Sequence, residues 1–332
     1  MKLTRNSMLP RLSAFGRSLV TPWLLKADPR ALAVCRLILF GFVWPGFHVS
    51  SVNTYAAFRS ITFRGVGLLA DLGVPLFPPS VLDSIGWAST VTCSCALFGV
   101  LFAVTAPVAA VLNLYQNWVV QSSGKTNHGG LLFTCVLFVL AFSRAADAWS
   151  IDAVVRRLRG KPRPQPSAAY RWPVAFIGAM VATQYGAAGL SKLRHSGWEW
   201  GLSGSLRWRL LSHQFTHEPP TKIGVWIARS PGLAKVLGTA ALLLEVSSPL
   251  SQLNKWAYRV IIPSLALLQF CIWLMMGVMF REMIVIFACL LPWNALITHL
   301  DPLAAKLLEP MRAKLRTKPA ATAAASPDRS ES

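Results

Sequence analysis

The feature that most constrains this chain is a succession of apolar runs, each close to the thickness of a bilayer. Crossing a hydrocarbon core takes about 20 mostly apolar residues in a helix. Eight runs approach that length, at about 31–50, 85–105, 107–121, 129–146, 173–190, 233–250, 260–280 and 283–300. In lipid every backbone polar group must be satisfied within the protein, so these spans are expected to be helices. Composition agrees: 54% of residues are hydrophobic and 14% charged, against roughly 25% charged in a soluble domain. A soluble globular enzyme, a disordered chain and a nucleic-acid module are set aside as leading classes. The expected fold is an all-α, multi-pass transmembrane bundle of about eight helices. No internal repeat is visible, so the inverted-repeat signature of many transporters is missing.

Charge orders the spans. Lys and Arg total 33 against 13 acids, a net charge of +20. The basic residues cluster between apolar runs, where they read as topology signals and as attraction to anionic lipid rather than as a nucleic-acid surface. With the N-terminus in the cytoplasm, segments 1–30, 147–172, 251–259 and the tail after Leu300 hold six, six, two and six Lys/Arg. The opposite side holds ten, six of them in the long loop 191–232. This asymmetry gives a cell-membrane protein with both termini cytoplasmic. Three regions follow: a basic segment 1–30, in which 12–25 suits a helix lying on the membrane; a membrane domain 31–300; and a basic, Ala/Ser-rich, partly disordered tail 301–332. The first long apolar run begins only at Ala31 and no small-residue cleavage site follows it, so no secretory leader is expected.

The six cysteines all lie in apolar runs without CxxC spacing, and read as small buried side chains rather than metal ligands. His213 and His217, four apart, are followed by Glu218 and Pro219-Pro220, which is not an HExxH order. No metal site is expected, and Leu202–Phe215 reads as an amphipathic interfacial helix.

Ionisable groups at membrane depth are costly and therefore informative. Arg36 lies about five residues into the first span and Glu245 about five residues from the end of the sixth. The topology gives them similar depth, so an Arg36–Glu245 ion pair is expected. The other face collects Asn113, Gln116, Asn117 and Gln121 at the end of span three, Asn127 and His128 at the start of span four, and Gln184, Ala188 and Lys192 on one stripe of span five. Tyr185, Trp198 and Trp200 flank that stripe. Such residues suit an interfacial belt as well as a pocket.

The stretch Tyr185-x-x-Ala188-Gly189-x-x-Lys192-Leu193, followed by Trp198 and Gly201, resembles the membrane domain of vitamin K-dependent γ-carboxylase, which also defines the bacterial HTTM (horizontally transferred transmembrane) family. Asn127-His128 at a helix start, Trp149-Ser150-Ile151-Asp152 after that helix, Arg36 with Gly41, and Glu245 with Pro249 stand in the same order. The resemblance runs from about Asp28 to Leu300. It implies that Lys192 is the base that deprotonates a reduced quinone such as vitamin K hydroquinone, that His128 assists, and that Asn127, Gln184, Tyr185 and Trp198 surround the cofactor. Desolvation at an apolar helix end favours the neutral, basic form of an amine. The chain departs from the carboxylase pattern in three places. It has nothing after Leu300 to bind a glutamyl substrate, Gln269 where many members carry histidine, and one extra residue between Lys192 and Trp198. These departures point away from glutamate carboxylation, unless a partner protein supplies the extramembrane domain. Two readings stay open: a non-cytoplasmic pocket built by spans three, four and five for quinone-linked chemistry, or a non-enzymatic membrane scaffold or small-solute transporter. The lipid bilayer is the expected partner in both, and nucleic acid in neither.

Overall fold

The computed structural model describes residues 25–43, 63–123, 128–216 and 221–302. The described residues are helical, with one isolated bridge between Ala27 and Ser167 and no strand. Two units are distinguished, Met1–Leu291 and Pro292–Ser332. In the second, the described part is the helix Trp293–Pro302.

The first unit contains α1 (Pro29–Val43), α2 (Gly67–Asp71), α3 (Pro79–Phe98), α4 (Phe102–Ser122), α5 (His128–Ala141), α6 (Ile151–Leu158), α7 (Trp172–Ser196), α8 (Glu199–Leu202), α9 (Ser205–Thr216), α10 (Lys222–Arg229), α11 (Pro231–Ser247), α12 (Lys255–Met276) and α13 (Arg281–Cys289). Helix α3 packs on α4 and α1, α4 on α5, and α13 on both α1 and α5. Helix α7 joins this group through α5 and packs most closely on α11, while α9, α10 and α12 complete the second half.

Among the described residues, four helical segments are long and apolar enough to cross a bilayer: Pro79–Phe98, Ala168–Ser196, Pro231–Gln252 and Lys255–Met276. This is fewer than the eight spans expected. Helix α4 has the length but carries Asn113, Gln116, Asn117 and Gln121, and α1 and α5 have 15 and 14 residues. The expected span 283–300 is divided between α13 and the helix Trp293–Pro302. Helix α12 is the most apolar of the four, yet only 11% of its apolar window is buried. A helix apolar on its outer face needs an apolar surrounding. Val260 and Leu267 are exposed on α12, and exposed Trp87, Val91 and Val236 continue the apolar exterior on α3 and α11. These exposed apolar helices are compatible with an integral membrane protein.

Local signals set several helix ends. Asn254 caps α12, its Oδ1 accepting from Trp256 N and Ala257 N at 2.9 Å. The turn between α3 and α4 falls at Gly99–Leu101 rather than between the expected spans 85–105 and 107–121, and Pro107 lies inside α4. Gly99 closes α3 in the left-handed region, with Val100 N bonded to Cys95 O. Helix α9 buries Leu210 against Ile227, Ala228, Ala234 and Met275, so its apolar side faces protein as well as any membrane interface.

Candidate functional site

Helices α7 and α11 meet along glycines. A Cβ at Gly189 would lie 2.7 Å from Val246 N and 2.9 Å from Glu245 Cβ, and one at Gly186 would lie 2.7 Å from Pro249 Cγ. Only glycine allows the backbones to approach so closely. Ser248 adds a hydrogen bond across the same seam, donating to Ala182 O at 2.7 Å.

This approach sets Lys192 against Glu245. Lys192 Nζ donates to Glu245 Oε1 at 2.6 Å and also reaches Oε2. Glu245 is nearly enclosed, at 8% side-chain exposure, and Lys192 is 26% exposed. The ammonium also lies 4.3 Å from the ring centroid of Trp200, a cation–π arrangement. Lys192 is therefore not at a helix end: α7 continues to Ser196 and stops at Gly197, which has positive φ.

The expected Arg36–Glu245 pair is not formed. Arg36 is wholly buried, and its Nη2 donates to Trp149 O at 2.5 Å. The charge of Asp152 acts on it as well. Matching depth along two spans does not make their helices neighbours: α1 packs on α3, α5 and α13, whereas Glu245 faces α7. Trp149-Ser150-Ile151-Asp152 proves to be part of the same lock. The Asp152 carboxylate accepts from Leu101 N at 3.0 Å and Phe102 N at 2.9 Å, closing the exposed start of α4. Leu101 and Trp149 both have positive φ, a strained state for residues with side chains. Gly99 is tucked so tightly over this turn that a Cβ there would lie 2.4 Å from Arg36 Nη1. Arg36 and Asp152 thus belong to a structural clamp at the end of the bundle that carries the α5–α6 connection.

Beyond the Lys192 seam lies an apolar cavity of about 300 Å³ between α12 and α13, with Gln269, Phe270, Trp273, Phe280, Ile284 and Phe287 on its walls. Gln269 Nε2 donates to the hydroxyl of Tyr185 at 2.5 Å, and Gln269 Oε1 is buried with no hydrogen-bond partner. An unpartnered buried amide oxygen is costly, about 1–3 kcal/mol. Tyr185 is itself buried, its ring 6.3 Å from that of Phe287. This cavity is lined by α12, α13 and the residues between them, and Tyr185 of α7, within expected span five, reaches it through Gln269. The amide of Gln269, seen in the sequence only as a departure from a family pattern, is its polar feature.

The remaining expected residues separate. Gln184 is half-buried and Trp198 exposed. Asn127 and the side chain of His128 lie outside the described residues, as do the side chain of His213 and all of His217. Asn113 and Asn117 form a buried polar knot with Thr134 of α5, Asn117 Nδ2 donating to Asn113 Oδ1 at 2.9 Å and to Thr134 Oγ1 at 2.7 Å. The knot joins α4 to α5, although the buried Asn113 Nδ2 has no hydrogen-bond partner. Among the described residues no three His, Cys, Asp or Glu side chains converge to hold a metal. Comparison with protein-family models, curated proteins and solved structures finds no match to the chain.

Proposed function

We propose that this integral membrane protein has an HTTM-like core, related to the membrane domain of vitamin K-dependent γ-carboxylase, and binds a reduced quinone in the apolar cavity beside Gln269. The observation that carries the reading is the apolar cavity lined by Gln269, whose buried Oε1 has no hydrogen-bond partner and whose Nε2 bonds Tyr185 of the same helix that bears Lys192. A quinol offers a flat apolar ring and a hydroxyl that donates to such an oxygen. The residues suit this group in polarity, and the α12–α13 cavity faces a part of the protein with an apolar exterior, where an isoprenoid tail is soluble. Bound quinol supplies the redox chemistry. The protein's part is to orient one hydroxyl with Gln269, exclude water with Phe270, Trp273 and Phe287, and accept a proton. Lys192 is the proposed base, and Glu245 holds the ammonium formed when the amine takes the proton. Asn127 and His128 are the proposed helpers. Nothing in this reading requires glutamate as a substrate, and a partner protein would supply any peptide-binding domain.

The test is turnover of vitamin K hydroquinone by reconstituted protein, with molecular oxygen as the electron acceptor. Arginine keeps a charge at position 192 but is effectively always protonated. Lys192→Arg, which keeps the charge beside Glu245, is expected to fold and to lose quinol oxidation, and His128→Ala to weaken it. Wild-type activity in Lys192→Arg would remove Lys192 as the base. A second reading, a non-enzymatic scaffold or small-solute transporter, is favoured by the full engagement of the Lys192 ammonium by Glu245 and Trp200. On that reading the pair only fastens α7 to α11, and the wild-type protein shows no quinol oxidation above the lipid background.

A further inference from the structure

Helix α6 is amphipathic in the sense opposite to that of a helix on a water-soluble protein. Its polar side faces inward. Asp152 closes the start of α4, and Arg156 donates to Asp147 Oδ1 at 2.5 Å and to Ala146 O at 2.9 Å. Its apolar side faces out: Ile151, Val154 and Leu158, at i, i+3 and i+7, form one exposed stripe. Leu158 is 83% exposed, and Trp149 just before the helix is also exposed. Between this stripe and the ends of α1 and α3 runs a groove of about 350 Å³, lined by Leu37, Leu97, Phe98, Val154 and Arg157. Arg157 stands at the edge of the stripe and makes no ion pair among the described residues, whereas Arg156 does.

We propose that this groove holds one anionic phospholipid, with an acyl chain along Leu37, Leu97, Phe98 and Val154 and its phosphate at Arg157. The groove has the two chemistries of a lipid in one place, an apolar trough and a single unneutralised cation at its rim. The segment that follows the groove is basic. Arg159, Lys161 and Arg163 follow Arg157, and no acid occurs between Asp152 and Glu199. Surface potential draws anionic lipid to such a basic segment. The trough walls come from apolar helices of the bundle, so the site lies where acyl chains end and headgroups begin. An acidic peptide would satisfy Arg157 but leave the outward face of Ile151, Val154 and Leu158 in water. The proposal depends on the membrane reading of the chain and not on the quinol site.

The test uses the full-length protein in mild detergent, given equal amounts of phosphatidylglycerol and phosphatidylcholine with the same acyl chains, and reads lipid retention by native mass spectrometry. One basic residue near a lipid surface contributes a preference of about fivefold. Wild type is expected to retain phosphatidylglycerol about fivefold over phosphatidylcholine. Arg157→Gln is expected to bring the two near parity, and Val154→Asp to lower retention of both. Arg157 is exposed and makes no ion pair among the described residues, so its variant is expected to leave the fold intact, which size exclusion and an unchanged melting temperature would verify. Arg159→Gln, outside the groove lining, should keep most of the preference. The proposal is overturned if Arg157→Gln retains the full preference, if wild type shows none, or if millimolar inorganic phosphate displaces the lipid as readily as phosphatidylglycerol does.

Discussion

Removing the ammonium of Lys192 leaves the Glu245 carboxylate without its partner in a nearly closed site. Losing one member of a buried pair costs about 3–5 kcal/mol. Two unit charges about 4 Å apart attract by roughly 4 kcal/mol at an effective dielectric of 20, which is of the same size. The two single variants are not equivalent. Lys192 is 26% exposed, and its four-carbon stem can carry an orphaned ammonium toward headgroup water. Glu245 is 8% exposed and short, with the α7 backbone packed against it at Gly189. Lys192→Met is therefore expected to cost about 4–5 kcal/mol, and Glu245→Gln about 3 kcal/mol. In the double variant no unpaired charge remains, and its loss should fall short of the sum by at least about 2 kcal/mol. Denaturant titration in detergent, followed by tryptophan fluorescence, measures all three. Additive losses within about 0.5 kcal/mol would refute the coupling. A costlier Glu245→Gln than Lys192→Met would refute the asymmetry argued from burial.

Two further outcomes are expected. Asp147 is buried, which by itself raises its carboxyl pKa, but hydrogen bonds from Tyr170 and Arg156 and the charges of Arg156 and Arg144 outweigh burial and hold it below the usual range. A carboxyl depressed in the folded state contributes stability that is present above its unfolded pKa and is lost as pH falls through the folded value. Tyr170→Phe should therefore move the acid-unfolding midpoint to higher pH, and an unmoved midpoint would show that the hydroxyl does not hold the charge. Cysteine-accessibility labelling should place residues 155–165 on the cytoplasmic side and 195–225 on the other; labelling of Ser205→Cys from the cytoplasm alone would reverse the orientation.

The sequence carried the helical membrane class because twenty-residue apolar runs are a property of local composition. Helix ends were legible where a local signal marks them. Asn254 sets the start of α12 five residues before the apolar run suggested, by bonding Trp256 N and Ala257 N. The break expected between 105 and 107 falls earlier, because the turn is decided by Gly99 in the left-handed region and by the Asp152 cap reaching over from 50 residues away. Charge pairing was not legible. Depth counting put Arg36 level with Glu245, but which helices touch is fixed by small residues at their seam, and Gly186 and Gly189 select α11 for α7. Lys192, Tyr185 and Glu245 were each singled out by residue type, yet Gln269 became informative only when its oxygen was seen to be buried and unpartnered.

The central claim is most directly tested by equilibrium binding of a reduced quinone to the protein in lipid nanodiscs, with vitamin K hydroquinone kept reduced under argon and bound ligand counted by mass spectrometry. Wild type should bind one equivalent saturably. Gln269→Leu removes the oxygen that receives the quinol hydroxyl while keeping the cavity apolar, and should weaken binding about five- to tenfold, the worth of one buried hydrogen bond. Binding in wild type indistinguishable from empty nanodiscs, or affinity unchanged in Gln269→Leu, would contradict the quinol site.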